Sequence, residues 1–231
     1  MSLDIISIES CELTDVVCSA QSSTERLFFY MYACLFLDLY VSLPFDNFTM
    51  SVLRALHLAP TQLHPNTWVF VQAFRLVCDV FRLSPTPSTF LSYYTSHPAK
   101  LALWHLLVGR SGNVLFDSFS TSYKNFKEKF LMVFIRLEGV KYFFDEVGRS
   151  KFPLSWTSKL TEFKEWPRPP LSAEEKEIYS LFDGLPCKLR RRKLVAIYTS
   201  PQRWEAFEGM IFCLFSIGLG LFLCLDDCLV I

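Results

Sequence analysis

The stretch Leu58–Phe81, LAPTQLHPNTWVFVQAFRLVCDVF, carries the clearest periodic signal in the chain. After the turn-like PTQLHP, Asn66 is placed to cap a helix. Phe70, Val71, Phe74, Val77, Cys78 and Phe81 then recur on one face of a 3.6-residue period, while Gln72, Arg75, Asp79 and Arg82 fall on the other. The spacing predicts an amphipathic helix with one side in a core.

Upstream, PFDNFTMSVLRALHLAP (44–60) offers Asp46 or Asn47 as an N-cap and sets Phe48, Val52, Leu53 and Leu56 on one helical face before Pro60 stops it. Before that, RLFFYMYACLFLDLYVSL (26–43) is apolar but broken by Asp38 and ended by Pro44. A bilayer needs about 20 apolar residues, so this run reads as a buried helix or strand.

Downstream, SPTPS interrupts the helical pattern, and Ser88 is placed to cap a third, aromatic helix through TFLSYYTS that ends before Pro98. In LALWHLLVGRSGNVLFDSF (101–119) two apolar runs flank GRSGN, as in a hairpin with a glycine-containing loop. FLMVFI (130–135) fits either period and is read as a strand for its short length and aromatic content. EVGRSKFPLSW supplies a turn and an extended piece around Pro153, and WPRPP (166–170) a rigid connector. Ser172 with Glu175 forms the S-x-x-E box that opens a helix through AEEKEIYSLF, stopped by Asp183 and Gly184. A last amphipathic piece surrounds KLRRRKLVAIY. The expected class is α+β: N-terminal helices, a central antiparallel hairpin or small sheet, then C-terminal helices and an apolar C-terminal helix. Three regions are expected: an N-terminal extension with an apolar segment (1–40), the main domain (41–210) and an apolar tail (211–231).

Composition supports a globular chain. Its 231 residues are 51% hydrophobic and 16% aromatic, with 23 Phe, enough for a dense core. The 23 basic and 23 acidic side chains cancel, so nucleic-acid contact would have to be local. The eight cysteines contain no C-x-x-C pair, and neither a disulfide framework nor a zinc site is expected. Buried free thiols in a reducing compartment are. The N-terminal MSLDIISIESCELTD is acidic and lacks the basic segment of a secretory signal, which points to a nuclear or cytoplasmic protein.

The segments from LPFDNFTMSVLRALHLAPTQLHPNTWVFVQAFRLVCDVFRLSPTPSTFLSYY through SYKNFKEKFLMV, FPLSWT, LSAEEKEIYSLFDGLP and YTSPQRW resemble the plant gypsy-type transposon, or transposase, domain family. The resemblance covers about Val41 to Met210 and is strongest over LAPTQLHPNTWVFVQAF. It implies a domain near the N-terminus of long element-derived proteins, often ahead of coiled-coil or Gag-like regions, with no catalytic residues assigned. It implies lineage more than activity.

The residues agree with a non-enzymatic reading. Asp46, Asp79, Asp117 and Asp145 do not combine with a later Glu into the carboxylate triad of two-metal transposases. LCLDDCLVI echoes a polymerase turn, with Asp226 and Asp227, but no fingers or palm sequence precedes it. There is no G-x-S-x-G, P-loop or G-x-G-x-x-G pattern. His57, His64, His97 and His105 stand apart from one another; His64 and His97 each precede a proline and read as turn residues. No cofactor is expected.

Lys188, Arg190, Arg191, Arg192 and Lys193 put five cations in six residues, either a phosphate-contacting or nuclear-localisation patch or the solvated face of a helix. YKNFKEK (123–129) is a weaker basic and aromatic patch, with core packing as the account of its rings. The expected partners are nucleic acid through the basic run, further copies of the chain, and a membrane through the tail. Met210–Leu225 gives 16 mostly apolar residues, about 24 Å of helix against a hydrocarbon core of about 30 Å. That is a marginal tail anchor. CLVI also reads as a prenylation box at Cys228, and the abrupt apolar turn also fits a gene-model boundary running into non-coding sequence.

Overall fold

In the computed structural model, residues 5–11, 27–99, 103–110, 115–116, 126–127, 129–167 and 170–184 are described. The chain forms β1 (Ile6–Ser10), β2 (Phe28–Tyr32), α1 (Ala33–Leu37), α2 (Asn47–Leu56), a 3-10 turn (Pro60–Gln62), α3 (Pro65–Val80) and α4 (Pro87–Leu91). It continues with β3 (Tyr94–Ala99), β4 (Trp104–Gly109), β5 (Phe130–Ile135), α5 (Val140–Phe143) and α6 (Ala173–Gly184). The fold is α+β. Antiparallel strands form one sheet in the order β1-β5-β2 and a separate β3-β4 ribbon.

Helix α3 lies in the middle of the core. Its expected apolar face is buried from Phe70 to Cys78, with Phe81 partly buried at the end, but so are Trp68, Val69, Ala73 and Leu76 around the rest of its circumference. A helix apolar on nearly every side is one that the rest of the domain encloses. Gln72 and Arg75, expected to face away, are half-buried: Gln72 Nε2 donates to Leu39 O at 2.9 Å, and Arg75 Nη1 reaches Asp46 Oδ2 at 2.9 Å. The ring of Phe182 from α6 stacks on Phe74 with centroids 4.4 Å apart and planes 2° from parallel. Phe90 meets Phe74 edge-on at 5.3 Å. Such pairs add about 0.5–1.5 kcal/mol beyond the apolar area they bury.

The helix caps were legible, with two exceptions. Asp46 caps α2, its Oδ1 accepting from Thr49 N at 2.9 Å. Ser172 and Glu175 exchange the two hydrogen bonds of the box that opens α6, at 3.1 and 3.0 Å. Helix α3, however, begins two residues earlier than expected: His64, not Asn66, is the cap, with Nδ1 accepting from Asn66 N at 3.1 Å. Pro65 occupies the first helical position, where its missing N–H costs nothing, and this moves the cap back by two residues.

Thr86, not Ser88, caps α4, which ends at Leu91. The expected helix continuation is instead strand β3, running through His97 and Pro98, so His97 is a strand residue and not a turn residue. Tyr94 and Ser96 point inward on a period of two, and the small polar Ser96 hides that alternation in the sequence. β3 pairs with β4 in the register Tyr94 with Gly109 and Ala99 with Trp104. The hairpin therefore precedes GRSGN. Most of that loop and of the second expected strand lies outside the described residues, while Leu115 and Phe116 are buried.

FLMVFI is a strand, and it is the central one: Val133 sits opposite Ile8 on one side and Phe29 on the other. The run 26–43 is both of its expected alternatives, strand β2 followed by helix α1. Segment 1–40 thus supplies both outer strands of this sheet, and Phe29, Met31, Tyr32 and Leu35 share the core with α2 and α3. At its start, β1 is held by Ile5 O, which accepts from Arg136 N at 3.1 Å. A Cβ on Gly139 would stand 2.1 Å from that oxygen, so only glycine lets the strand lie there. The basic run 188–193 and the apolar tail lie outside the described residues.

Candidate functional site

Two groups of polar side chains organise the chemistry of the domain. The first surrounds the 3-10 turn. Gln62 is fully buried, and its amide makes four hydrogen bonds. Oε1 accepts from Ala59 N at 3.3 Å and Thr157 N at 2.9 Å, while Nε2 donates to Leu103 O at 3.1 Å and Thr157 O at 2.8 Å. An amide has two donors and two acceptor sites, so none is left over. The reverse orientation would face donors with donors, which fixes the assignment.

Its neighbours extend the network. Tyr32 OH donates to Thr61 O at 2.5 Å, Trp156 Nε1 to Thr61 Oγ1 at 2.7 Å, and Trp68 Nε1 to Pro60 O at 3.2 Å. Burial raises the Tyr32 hydroxyl far above its usual value, so it remains a donor. His64 N donates to His105 O at 2.9 Å, and Leu63 bridges His105 in parallel. Residues 59–64 thereby tie β2, the β3-β4 ribbon and the irregular strap 151–167 to one point. The strap continues along β3: Ser96 N donates to Phe163 O at 2.9 Å, and Ser96 Oγ accepts from Phe163 N at 2.6 Å.

Both histidines of this region are held neutral. The His64 ring lies against Trp104 and Phe126 with centroids 5.1 and 4.9 Å away. Burial, and secondly the charge of Lys127, lowers it to about 4. His105 is fully buried with Nε2 2.8 Å from Thr161 O. A carbonyl only accepts, so Nε2 carries the proton and Nδ1 faces the interior without a partner. Burial lowers its pKa as well.

Phe126 packs on Tyr32 and His64, as the core reading of YKNFKEK requires, and Lys127 Nζ stands 5.4 Å from the Trp104 ring centre. Cys11, Cys34 and Cys78 are in no disulfide. Burial raises Cys34 to about 11 and Cys78 further, which suits inert packing and not nucleophilic chemistry.

The acids are equally engaged. Asp46 caps α2 and pairs with Arg75, which also reaches Asp79 at 3.4 Å. Burial, opposed by Arg75, raises the Asp79 carboxyl. Among the described residues no three His, Cys, Asp or Glu side chains are grouped to hold a metal ion, and no helix is long and apolar enough to cross a membrane.

The second group lies at the surface. A cleft of about 310 Å³ is lined by Arg54, Asp145, Arg149, Ser150, Phe152 and Pro153. Its outer wall is a tight loop closed by the bridge between Phe144 and Ser150, with Gly148 at a φ of 78°. Asp145 organises the loop: Oδ1 accepts from Arg149 N at 2.8 Å and Val147 N at 3.1 Å, and Oδ2 from Arg149 Nε at 3.0 Å. Those bonds, led by the Arg149 N–H, hold its carboxyl below the usual range. On the facing segment, Arg54 Nε donates to Lys151 O at 2.8 Å. Sequence reading singled out neither arginine; EVGRS signalled only a turn. Asp145, which the sequence places in no carboxylate triad, is the organiser of this loop.

No protein-family model matches the chain, and neither curated proteins nor solved structures gave a match.

Proposed function

We propose that this chain is a non-enzymatic, gypsy-type retrotransposon-derived domain, working in the nucleus or cytoplasm as a Gag-like assembly or nucleic-acid-associated module. The observation that carries the reading is the use made of LAPTQLHP, where the resemblance is strongest. Thr61, Gln62 and the partner His105 are committed to ties between segments, and His64 is used as a helix cap and a backbone link to His105. Groups held that way stiffen a scaffold and leave no base poised beside a nucleophile. On this reading the partner chemistry lies outside the hub: Lys188, Arg190, Arg191, Arg192 and Lys193 contact phosphates, and copies of the chain associate.

The test is binding of labelled RNA and DNA by the full chain across a salt series, with sedimentation of the free protein. The expected result is salt-sensitive binding that changing Arg190, Arg191 and Arg192 together to Ala abolishes. Binding unaltered by that triple change removes the basis of the reading. The apolar run Met210–Leu225 favours a second one, a tail-anchored protein whose domain is a cytosolic adaptor. Partition of the native protein into membranes that resists high salt but yields to detergent is its signature.

A further inference from the structure

The surface cleft supports a site that the basic run does not account for. Its two guanidinium groups come from separate parts of the chain, Arg54 near the end of α2 and Arg149 from the 144–150 loop, and both line the same cavity. Among the described residues each is tethered through Nε alone, to Lys151 O and to Asp145 Oδ2. A guanidinium carries five N–H donors, so the four on the η nitrogens of each remain for another acceptor. Asp145 also lines the cleft and pairs with Arg149 at 3.0 Å, so two guanidinium charges stand against one carboxylate and the site keeps a positive balance for a ligand. The floor is apolar, with Phe152 buried and Pro153 beside it, and a charge-assisted hydrogen bond gains strength over such a surface. Ser150 adds a hydroxyl to the lining.

We propose that this cleft is a binding site for a phosphate group, gripped between Arg54 and Arg149. A planar carboxylate is satisfied by one guanidinium fork, whereas a tetrahedral oxyanion offers oxygens in several directions and so engages two forks from different segments. The loop is ready for it: besides the bonds to Asp145, Asp145 N donates to Arg149 O at 2.9 Å, Gly148 N to Asp145 O at 3.0 Å and Lys151 N to Phe143 O at 2.8 Å. Little ordering is left to do on binding. The proposal stands whether or not the chain descends from a transposon.

The experiment titrates inorganic phosphate into the full chain by calorimetry, with sodium chloride at matched ionic strength as the control. Saturable binding is expected, weakened about tenfold by Arg54→Gln and again by Arg149→Gln, the cost of one charge-assisted contact each. Arg54→Lys, which keeps the charge and loses the fork, is expected to fall between. Unchanged circular-dichroism melts show that the variants are folded. The source of the phosphate is read with short oligonucleotides competing in the background where Arg190, Arg191 and Arg192 are Ala. Competition only by a 5′-phosphorylated strand assigns the site to terminal phosphomonoesters, and equal competition without it assigns the site to backbone phosphodiesters. Phosphate heats no different from chloride, or affinity untouched by both glutamine variants, overturn the proposal. Loss of nucleic-acid binding on changing the basic run, with phosphate binding intact, bears on the function reading alone.

Discussion

Gln62 and Arg149 are both polar side chains with several hydrogen-bonding groups, and the domain uses them in opposite ways. Gln62 is fully buried and every site on its amide is filled by backbone, whereas the Arg149 side chain is 80% exposed and anchored through one nitrogen. Inside the fold, complete satisfaction is the condition for a polar group to be present at all, because an unmade bond there costs about 1–3 kcal/mol. At the surface, water fills whatever the protein leaves open, so donors can be left available for a ligand. The contrast separates what holds the molecule together from what the molecule can hold.

The sharpest test of that division is Gln62→Leu. It strips partners from Ala59 N, Thr157 N, Leu103 O and Thr157 O together, and a loss on the order of 3 kcal/mol or more is expected in urea denaturation. A loss under about 1 kcal/mol would mean that the hub merely accompanies the fold. Next comes pH. His64 titrates at about 4 when folded against 6.5 unexposed to the fold, so the unfolded chain binds more protons between those values. Stability is therefore full above pH 6.5 and falls as pH drops towards 4, with buried His105 acting in the same direction. His64→Asn keeps a capping acceptor that cannot be protonated there, and it should flatten part of the pH dependence of the melting temperature. An unchanged slope would locate the effect elsewhere.

Ser172→Ala removes one half of the box at the start of α6 and should cost about 1 kcal/mol. Glu175 also accepts from Thr86 Oγ1 at 2.9 Å, so the loss should be smaller in a Thr86→Val background if the two ties act as a unit. Smallest of all, Arg149→Gln should change stability by no more than about 0.5 kcal/mol while weakening phosphate binding. A large stability loss there would turn the cleft into a second structural hub and erase the contrast.

The parts of this architecture that were readable share a local cause. The apolar face of α3, the Asp46 cap and the Ser172–Glu175 box depend on residues within four positions of one another, and periodicity and capping chemistry report such features directly. β3 was misread because its inward position at Ser96 is polar and is satisfied by Phe163, 67 residues away. Gln62 was passed over for the same reason: its partners at 103 and 157 give no local signal. Arg54 and Arg149 form one cleft only after the chain has folded, and neither lies in a charge run that sequence reading detects.

The strand order β1-β5-β2 also sets a timetable for synthesis. β1 and β2 are made first, yet each pairs with β5, whose last residue, Ile135, follows the end of β2 by about a hundred positions. Their ladder partner does not exist while α2, α3 and the β3-β4 ribbon are already emerging from the ribosome. Phe28–Tyr32, an aromatic strand, must pass that interval without its neighbour, the condition under which exposed strand edges recruit one another. On a polysome several nascent chains stand side by side at this stage, and the newborn protein is then more dependent on a chaperone than the finished one.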